Sequence, residues 1–359
     1  FHWSALDIFK REELNLGIVM VMIRITIYER GARKMCSRFF KRFACGLSLL
    51  ILLGAVLLTT SGCGEQTPTN SPASNNQSLD NQLKVVTTIF PLADITQNLG
   101  GDQIKVINLL PAGANPHTYE PTPSQMKEVA GASLIIGIGA GLDEWVQKLA
   151  LAANQDANRI EVAEGLQLLA SENDHAHEGH SAEADHLHVG ADPHIWLDPV
   201  LVRDHVAPKI TEALIKADPS AEAVYQANLL NYQNELTQLH QEYLTTMASL
   251  TNKKYISFHA SWRYLAQRYG LEEVASIEPA PGQEPSGKWI TEVVNLARAN
   301  EVRVIIAEPQ FNPRMAEVIA GEFAGRVITL DPLGGESAEG RNTYLNLMRY
   351  NLNSLKTCL

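Results

Sequence analysis

The sequence predicts an α/β protein of two lobes, each holding a mainly parallel sheet flanked by helices. Three observations carry this. From Leu83 onward, short β-branched apolar runs alternate with helical stretches, the pattern of βα units. Midway, Val224, Leu229, Tyr232, Leu236, Leu239, Tyr243 and Met247 recur at helical spacing, so Ala221 to Leu250 reads as one long helix. Such a helix in the middle of an α/β chain commonly joins two lobes, and beyond it the alternation resumes. The length of 359 residues suits two domains of about 150 residues each, with flanking segments.

The flanking segments come first. Met35 stands just before a basic stretch and reads as the start, which leaves residues 1–34 as upstream translation. Residues 35–62 read as a secretory signal: Arg38, Lys41 and Arg42 precede the uncharged run Phe43 to Leu58, and Thr59-Thr60-Ser61-Gly62 leads to Cys63. The apolar run falls short of the roughly 20 residues of a spanning helix. With Gly62 before it, Cys63 resembles the lipidated cysteine of a bacterial lipoprotein signal, although Thr60 stands where that signal usually has Leu. Residues 63–82 are rich in Pro, Ser, Asn and Gln and bury too little apolar surface to offset their ordering entropy, so they read as a disordered tether. The folded body is expected outside the cytoplasm, lipid-anchored at the outer face of the cytoplasmic membrane or periplasmic.

The N-terminal lobe is expected over 83–218. Lys84 to Phe90, Ile104 to Leu110 and Ser133 to Gly137 read as strands, with a short fourth at Ile160 to Val162. Helices are expected from Pro91 through Leu99 and over Leu142 to Ala152. Pro199 to Ala217 reads as one helix, ended by Asp218-Pro219. The linking helix covers 219–250. In the C-terminal lobe, 251–359, strands are expected at Lys254 to Phe258, Val302 to Ala307 and Arg326 to Leu330. No short repeat is visible, which argues against a solenoid.

The formal charge of −11 understates the acidity of the body. Residues 1–62 carry 9 basic and 4 acidic side chains, leaving 20 and 36 in the remainder, a formal −16. A body that acidic repels nucleic acid and attracts cations. The cysteines Cys36, Cys45, Cys63 and Cys358 form no CxxC pair, so a thiolate metal site is unsupported.

Several histidines and acids stand where predicted strands run out: His117 in Asn115-Pro116-His117, His194 in Asp192-Pro193-His194, His259 in Ser257-Phe258-His259, and Asp331 in Leu330-Asp331-Pro332. Glu308, in Ala307-Glu308-Pro309, competes with Asp331, and spacing alone does not decide between them. In an open α/β sheet the carboxyl ends of the strands converge on one crevice where ligands bind. Three imidazoles and a carboxylate there make a four-coordinate site suited to Zn²⁺. A second signal is the loop 172–190, with His175, His177, His180, His186 and His188 among acids, a composition suited to transient zinc contact. His2, His205 and His240 are assigned to surface or hydrogen-bonded roles.

The stretches VVTTIFPLADITQNLGGD, LLPAGANPHTYEPTPSQ, DPHIWLDP, FHASWRYLAQRYGL, AEPQFNP and LDPLG, in that order, resemble the zinc-uptake solute-binding proteins of bacterial ABC transporters, the metal-specific branch called cluster A-I or cluster 9. The resemblance covers roughly Leu83 to Leu359. It implies that the linking helix is rigid and that the metal lies in the interlobe cleft, held by His117, His194 and His259, with Asp331 in the position of the acidic fourth ligand of some members, a place that water or a glutamate takes in others. Manganese-type members carry a glutamate where this chain has His259, and a third imidazole favours Zn²⁺ over the harder Mn²⁺. Some relatives have a disulfide in the second lobe, for which this chain lacks the cysteines.

The function expected is an extracytoplasmic zinc receptor, not an enzyme, that delivers Zn²⁺ to a membrane permease driven by a cytoplasmic ATPase and works as a monomer. The alternatives are a manganese or other divalent-metal receptor of the same family and a secreted zinc hydrolase with Glu308 as base; no His-Glu-x-x-His helix supports the hydrolase. A surface zinc buffer or adhesin is compatible with transport.

Overall fold

The computed structural model describes residues 82–153, 158–170 and 190–357. The signal segment, Cys63, the tether up to residue 81 and the five histidines of the 172–190 loop lie outside the described residues. The first lobe contains β1 (Leu83–Thr87), α1 (Phe90–Gly100), β2 (Ile104–Asn108), α2 (Pro123–Ala130), β3 (Leu134–Gly137), α3 (Glu144–Ala153) and β4 (Asn158–Glu161). A helical run follows, made of Pro199–Leu201, a π-turn over Val202–Val206 and α4 (Ala207–Ala217). The long helix α5 (Glu222–Ala248) leads to β5 (Lys254–Ser257), α6 (Arg263–Tyr269), β6 (Glu272–Ser276), α7 (Gly287–Ala299), β7 (Val304–Ala307), α8 (Pro313–Gly321), β8 (Arg326–Thr329) and α9 (Tyr344–Lys356).

Each lobe holds a four-stranded sheet, ordered β2-β1-β3-β4 and β6-β5-β7-β8. Every pairing is parallel. The two orders are the same once the second is renumbered, so each sheet has its switch point between its first and third strands, β1/β3 and β5/β7. His259 and Glu308 follow β5 and β7 and so flank the second switch point, where open α/β sheets bind ligands.

Both sheets are covered on both faces, and successive residues divide between them. Val85 joins a large core cluster while its neighbour Val86 joins a smaller one on the opposite face. In the second sheet Val304 and Ile306 point into the large cluster, and Ile256 and Ile305 into a local one. The large cluster runs through both lobes because α5 threads it. Tyr225, Tyr232, Leu236, Leu239, Tyr243 and Met247 are buried along one stripe of that helix. Removing a side chain such as Leu236 would cost about 2–5 kcal/mol.

Helices α2, α6, α7, α8 and α9 are additions to the sequence reading, β1 ends at Thr87 rather than Phe90, and two further elements differ. The run from Pro199 to Ala217 is interrupted by the π-turn. Pro208 accounts for it, since its missing N–H and its ring deny the regular bond to residue 204 and the preceding turn widens to absorb the loss. Strand β6 is an addition, an edge strand whose residues Glu-Glu-Val-Ala-Ser lack an apolar run.

Candidate metal centre

Each of the three strand-end histidines is positioned by local hydrogen bonds. After β2 the chain stays extended, with Leu109 and Leu110 donating to the carbonyls of Thr87 and Thr88 at 2.9 and 3.1 Å. Asn115 then accepts the His117 N–H on its side-chain oxygen at 2.9 Å, an Asx turn that fixes the imidazole after Pro116. Asp192 does the same for His194 at 3.0 Å, and the same Oδ1 lies 2.8 Å from His194 Nδ1. His259 leaves β5 directly, with Phe258 donating to Ile306 at 2.7 Å and Ser261 donating back to the His259 carbonyl at 2.8 Å.

These turns bring His117, His194 and His259 together, with one ligand atom from each within 4.8 Å of the others. The ring centroids are 5.2, 5.0 and 4.9 Å apart. The Nε2 atoms of His117 and His194 are 3.2 Å apart. Tetrahedral zinc with Zn–N of about 2.05 Å would separate its nitrogens by about 3.3 Å. His194 and His259 are nearly fully buried and His117 is half-buried. Burial, followed by the two neighbouring imidazoles, holds His117 well below the usual histidine range, so it is a neutral donor. Burial, the largest single influence, would push His259 down as well, but the carboxylates of Glu308, Glu278 and Asp192 together outweigh it and the net shift is upward. Three imidazoles of borderline softness, which share the lining of a void of about 20 Å³ with Trp196, Phe311 and Leu333 among others, suit Zn²⁺.

The two carboxylates are placed differently. Glu308 stands behind His259: its Oε2 is 3.5 Å from His259 Nδ1, and its Oε1 accepts from the Ser261 hydroxyl at 2.5 Å. Asp331 is not in the histidine group. Its Oδ1 accepts from the N–H groups of Leu333 and Gly334, each at 3.0 Å, and its Oδ2 pairs with Arg341 at 2.7 Å. Gly334 needs to be glycine: its φ is 66°, and a Cβ there would come within 2.6 Å of the Arg341 carbonyl. His240 bonds Tyr269 at 3.0 Å, away from the centre.

Sequence reasoning missed several supporting groups. Asp192, Asp198 and Glu120 stand near the histidines in sequence, but which of them supports an imidazole cannot be read there; the structure gives Asp192 to His194. Ser261, behind Glu308, and Trp196, whose ring centroid lies 5.2 Å from that of His194, carried no sequence signal. Asp198, adjacent to the motif, serves elsewhere, capping Val200 at 2.8 Å and pairing with Arg268 at 2.8 Å.

A model of the family described as zinc-uptake complex component A, periplasmic (ZnuA), matches residues 85–358. The high-affinity zinc uptake system protein ZnuA of Bacillus subtilis (strain 168) is 30% identical over 314 residues, covering 86% of this chain and 97% of that protein. The manganese-binding lipoprotein MntA of Halalkalibacterium halodurans is 29% identical over 307 residues, covering 83% and 94%. A crystal structure of ZnuA superposes with a TM-score of 0.66 at 32% identity, covering 77% of this chain and 99% of that one. The chain belongs to the zinc-uptake complex component A family, whose members are solute-binding proteins and not enzymes.

Proposed function

We propose that this protein captures Zn²⁺ outside the cytoplasm through His117, His194 and His259 and hands it to an ABC permease coupled to a cytoplasmic ATPase. The observation that carries the reading is the convergence of three buried or half-buried imidazoles, one of them held neutral by its surroundings, within 4.8 Å. Membership of a zinc-uptake family supports it. The fourth place on zinc falls to water, or to Asp331 once it parts from Arg341; Glu308 remains behind His259. The His-rich loop, with His175, His177, His180, His186 and His188, supplies weaker accessory contacts. Cys63 carries the lipid anchor, residues 63–82 are the tether, and the body of lobes 83–218 and 251–359 works as a monomer.

The manganese relative makes Mn²⁺ the second reading, and His259 is the residue that speaks against it, since imidazole suits zinc better than the harder ion. Competitive titration of residues 65–359 with Zn²⁺ against Mn²⁺ separates the two. One tight zinc equivalent, lost in His117→Ala, is expected. Manganese preference would move the protein to the second reading, and the lack of any tight site would sink both.

A further inference from the structure

The three histidines also line a larger chamber of about 220 Å³, together with Asp192, Glu278 and Arg263 among others. It has room for several waters at about 30 Å³ each, and so for a cation that has not yet shed its hydration.

Glu278 follows β6 and is stitched to the strand that carries His259, its N–H donating to the Phe258 carbonyl at 2.8 Å. The residue is only 8% exposed. Its Oε1 accepts from the Gly282 N–H at 2.8 Å, while Oε2 is buried with no hydrogen-bond partner. Asp192 presents the same picture, with Oδ1 on His194 and Oδ2 buried without a partner. Buried carboxylate oxygens without donors are costly, and a cation is the group that relieves them. The one guanidinium in the lining, Arg263, donates to the Ala170 carbonyl. Gly282, at φ 78°, lies so close to Thr118 that an added Cβ would stand 3.0 Å from its methyl. The loop carrying Glu278 therefore reaches the residue after His117. Glu278 is not part of the close histidine group, so it neighbours that group without completing it.

We propose that this chamber is a staging post for the incoming divalent cation, with Glu278 Oε2 replacing one of its waters before the three histidines take it over. The proposal rests on the zinc-receptor reading. A post on the path that is vacated in the final state lowers the barrier in both directions, so it sets the rates of exchange and leaves the equilibrium unchanged.

Stopped-flow mixing of the full chain with Zn²⁺ tests this. Glu278→Gln keeps an acceptor for Gly282 and removes the charge; Glu278→Asp restores the charge; Glu222→Gln, on the exposed start of α5, controls for net charge. In Glu278→Gln, association is expected to slow about tenfold at low ionic strength, dissociation to slow by the same factor, and Kd to stay within about twofold. Glu278→Asp should recover most of the rate, and the control should behave as wild type. Unchanged association in Glu278→Gln, or a Kd weakened through faster dissociation alone, overturns the proposal. A wild-type chain with no association phase that depends on His117 overturns the receptor reading itself, and this proposal with it.

Discussion

Asp192 grips His194 through a single oxygen, which accepts the backbone N–H at 3.0 Å and lies 2.8 Å from Nδ1. That contact places the ring hydrogen on Nδ1 and turns the Nε2 lone pair toward His117. Carboxylates behind metal-bound histidines typically contribute 10–100-fold in affinity. Asp192→Asn, which keeps an acceptor for the N–H, is expected to weaken zinc binding by about that factor in competition with a chromophoric chelator. Affinity equal to wild type would show that the imidazole orients without its carboxylate.

The pH dependence follows from two histidines shifted in opposite directions. His117 stays neutral well below pH 6.5, whereas His259 holds its proton to higher pH beside Glu308. Zinc must displace that proton. Affinity is therefore full above the raised His259 pKa and falls by about tenfold per pH unit below it, one proton's worth at first. Calorimetry in buffers of different ionisation heat counts the protons released. Glu308→Gln should move the fall to lower pH, and a release of three protons near neutrality would contradict this account.

Asp331 gives a contrasting expectation. With Arg341 on one oxygen and two backbone N–H groups on the other, it shapes the turn to Gly334. Asp331→Asn is expected to alter the zinc Kd by less than about fivefold while lowering the unfolding midpoint, since it breaks a part-buried pair. A loss comparable to that in His117→Ala would make Asp331 a ligand.

Asp94, on α1, accepts the Tyr344 N–H at the start of α9 at 2.8 Å and so ties the two lobes. Burial raises its pKa to about 6, against the opposing pull of that N–H, with Glu235 adding to the rise. The folded state thus binds the proton more tightly than the unfolded one. The stability this group contributes is full below the unfolded value near 3.8 and is lost as pH rises through about 6. The shift of about two units corresponds to roughly 3 kcal/mol. Asp94→Asn should therefore stabilise the protein by about 2–3 kcal/mol at pH 8 and by well under 1 kcal/mol near pH 4, read from denaturant unfolding at each pH. Equal effects at both would rule out the titration.

The sequence made the strands legible where both faces are buried, because Val85-Val86 or Val304-Ile305-Ile306 must then be apolar throughout. It hid β6, an edge strand whose outer residues Glu272 and Glu273 meet water or polar partners. The three histidines could be read because each follows a strand end or a proline turn. The partners of the carboxylates could not. Ser261 and Glu308 are 47 positions apart and meet only because β5 and β7 are neighbours. Asp331 and Glu308 look alike in sequence, each between an apolar strand and a proline, and only their partners in space distinguish them, His259 and Ser261 for Glu308, Arg341 and two backbone N–H groups for Asp331.

The segment Asp192 to Asp198 precedes α5 in the chain and bonds back to Leu169 through the Asp192 N–H at 2.8 Å, yet four of its bonds lead to the second lobe. Tyr264 donates to the Asp192 carbonyl at 2.9 Å, Trp196 Nε1 to Pro332 at 2.7 Å, Tyr344 to the Trp196 carbonyl at 2.7 Å, and Arg268 to Asp198 at 2.8 Å. All four partners come from beyond α5. Mechanically, His194 is thus braced largely from the second lobe, and the proposed coordination sphere would divide one against two, His117 on one side and His194 with His259 on the other. A docking event that levers the lobes apart by an ångström would pull one nitrogen from the ion and leave it on two, an abrupt drop in grip from a small displacement.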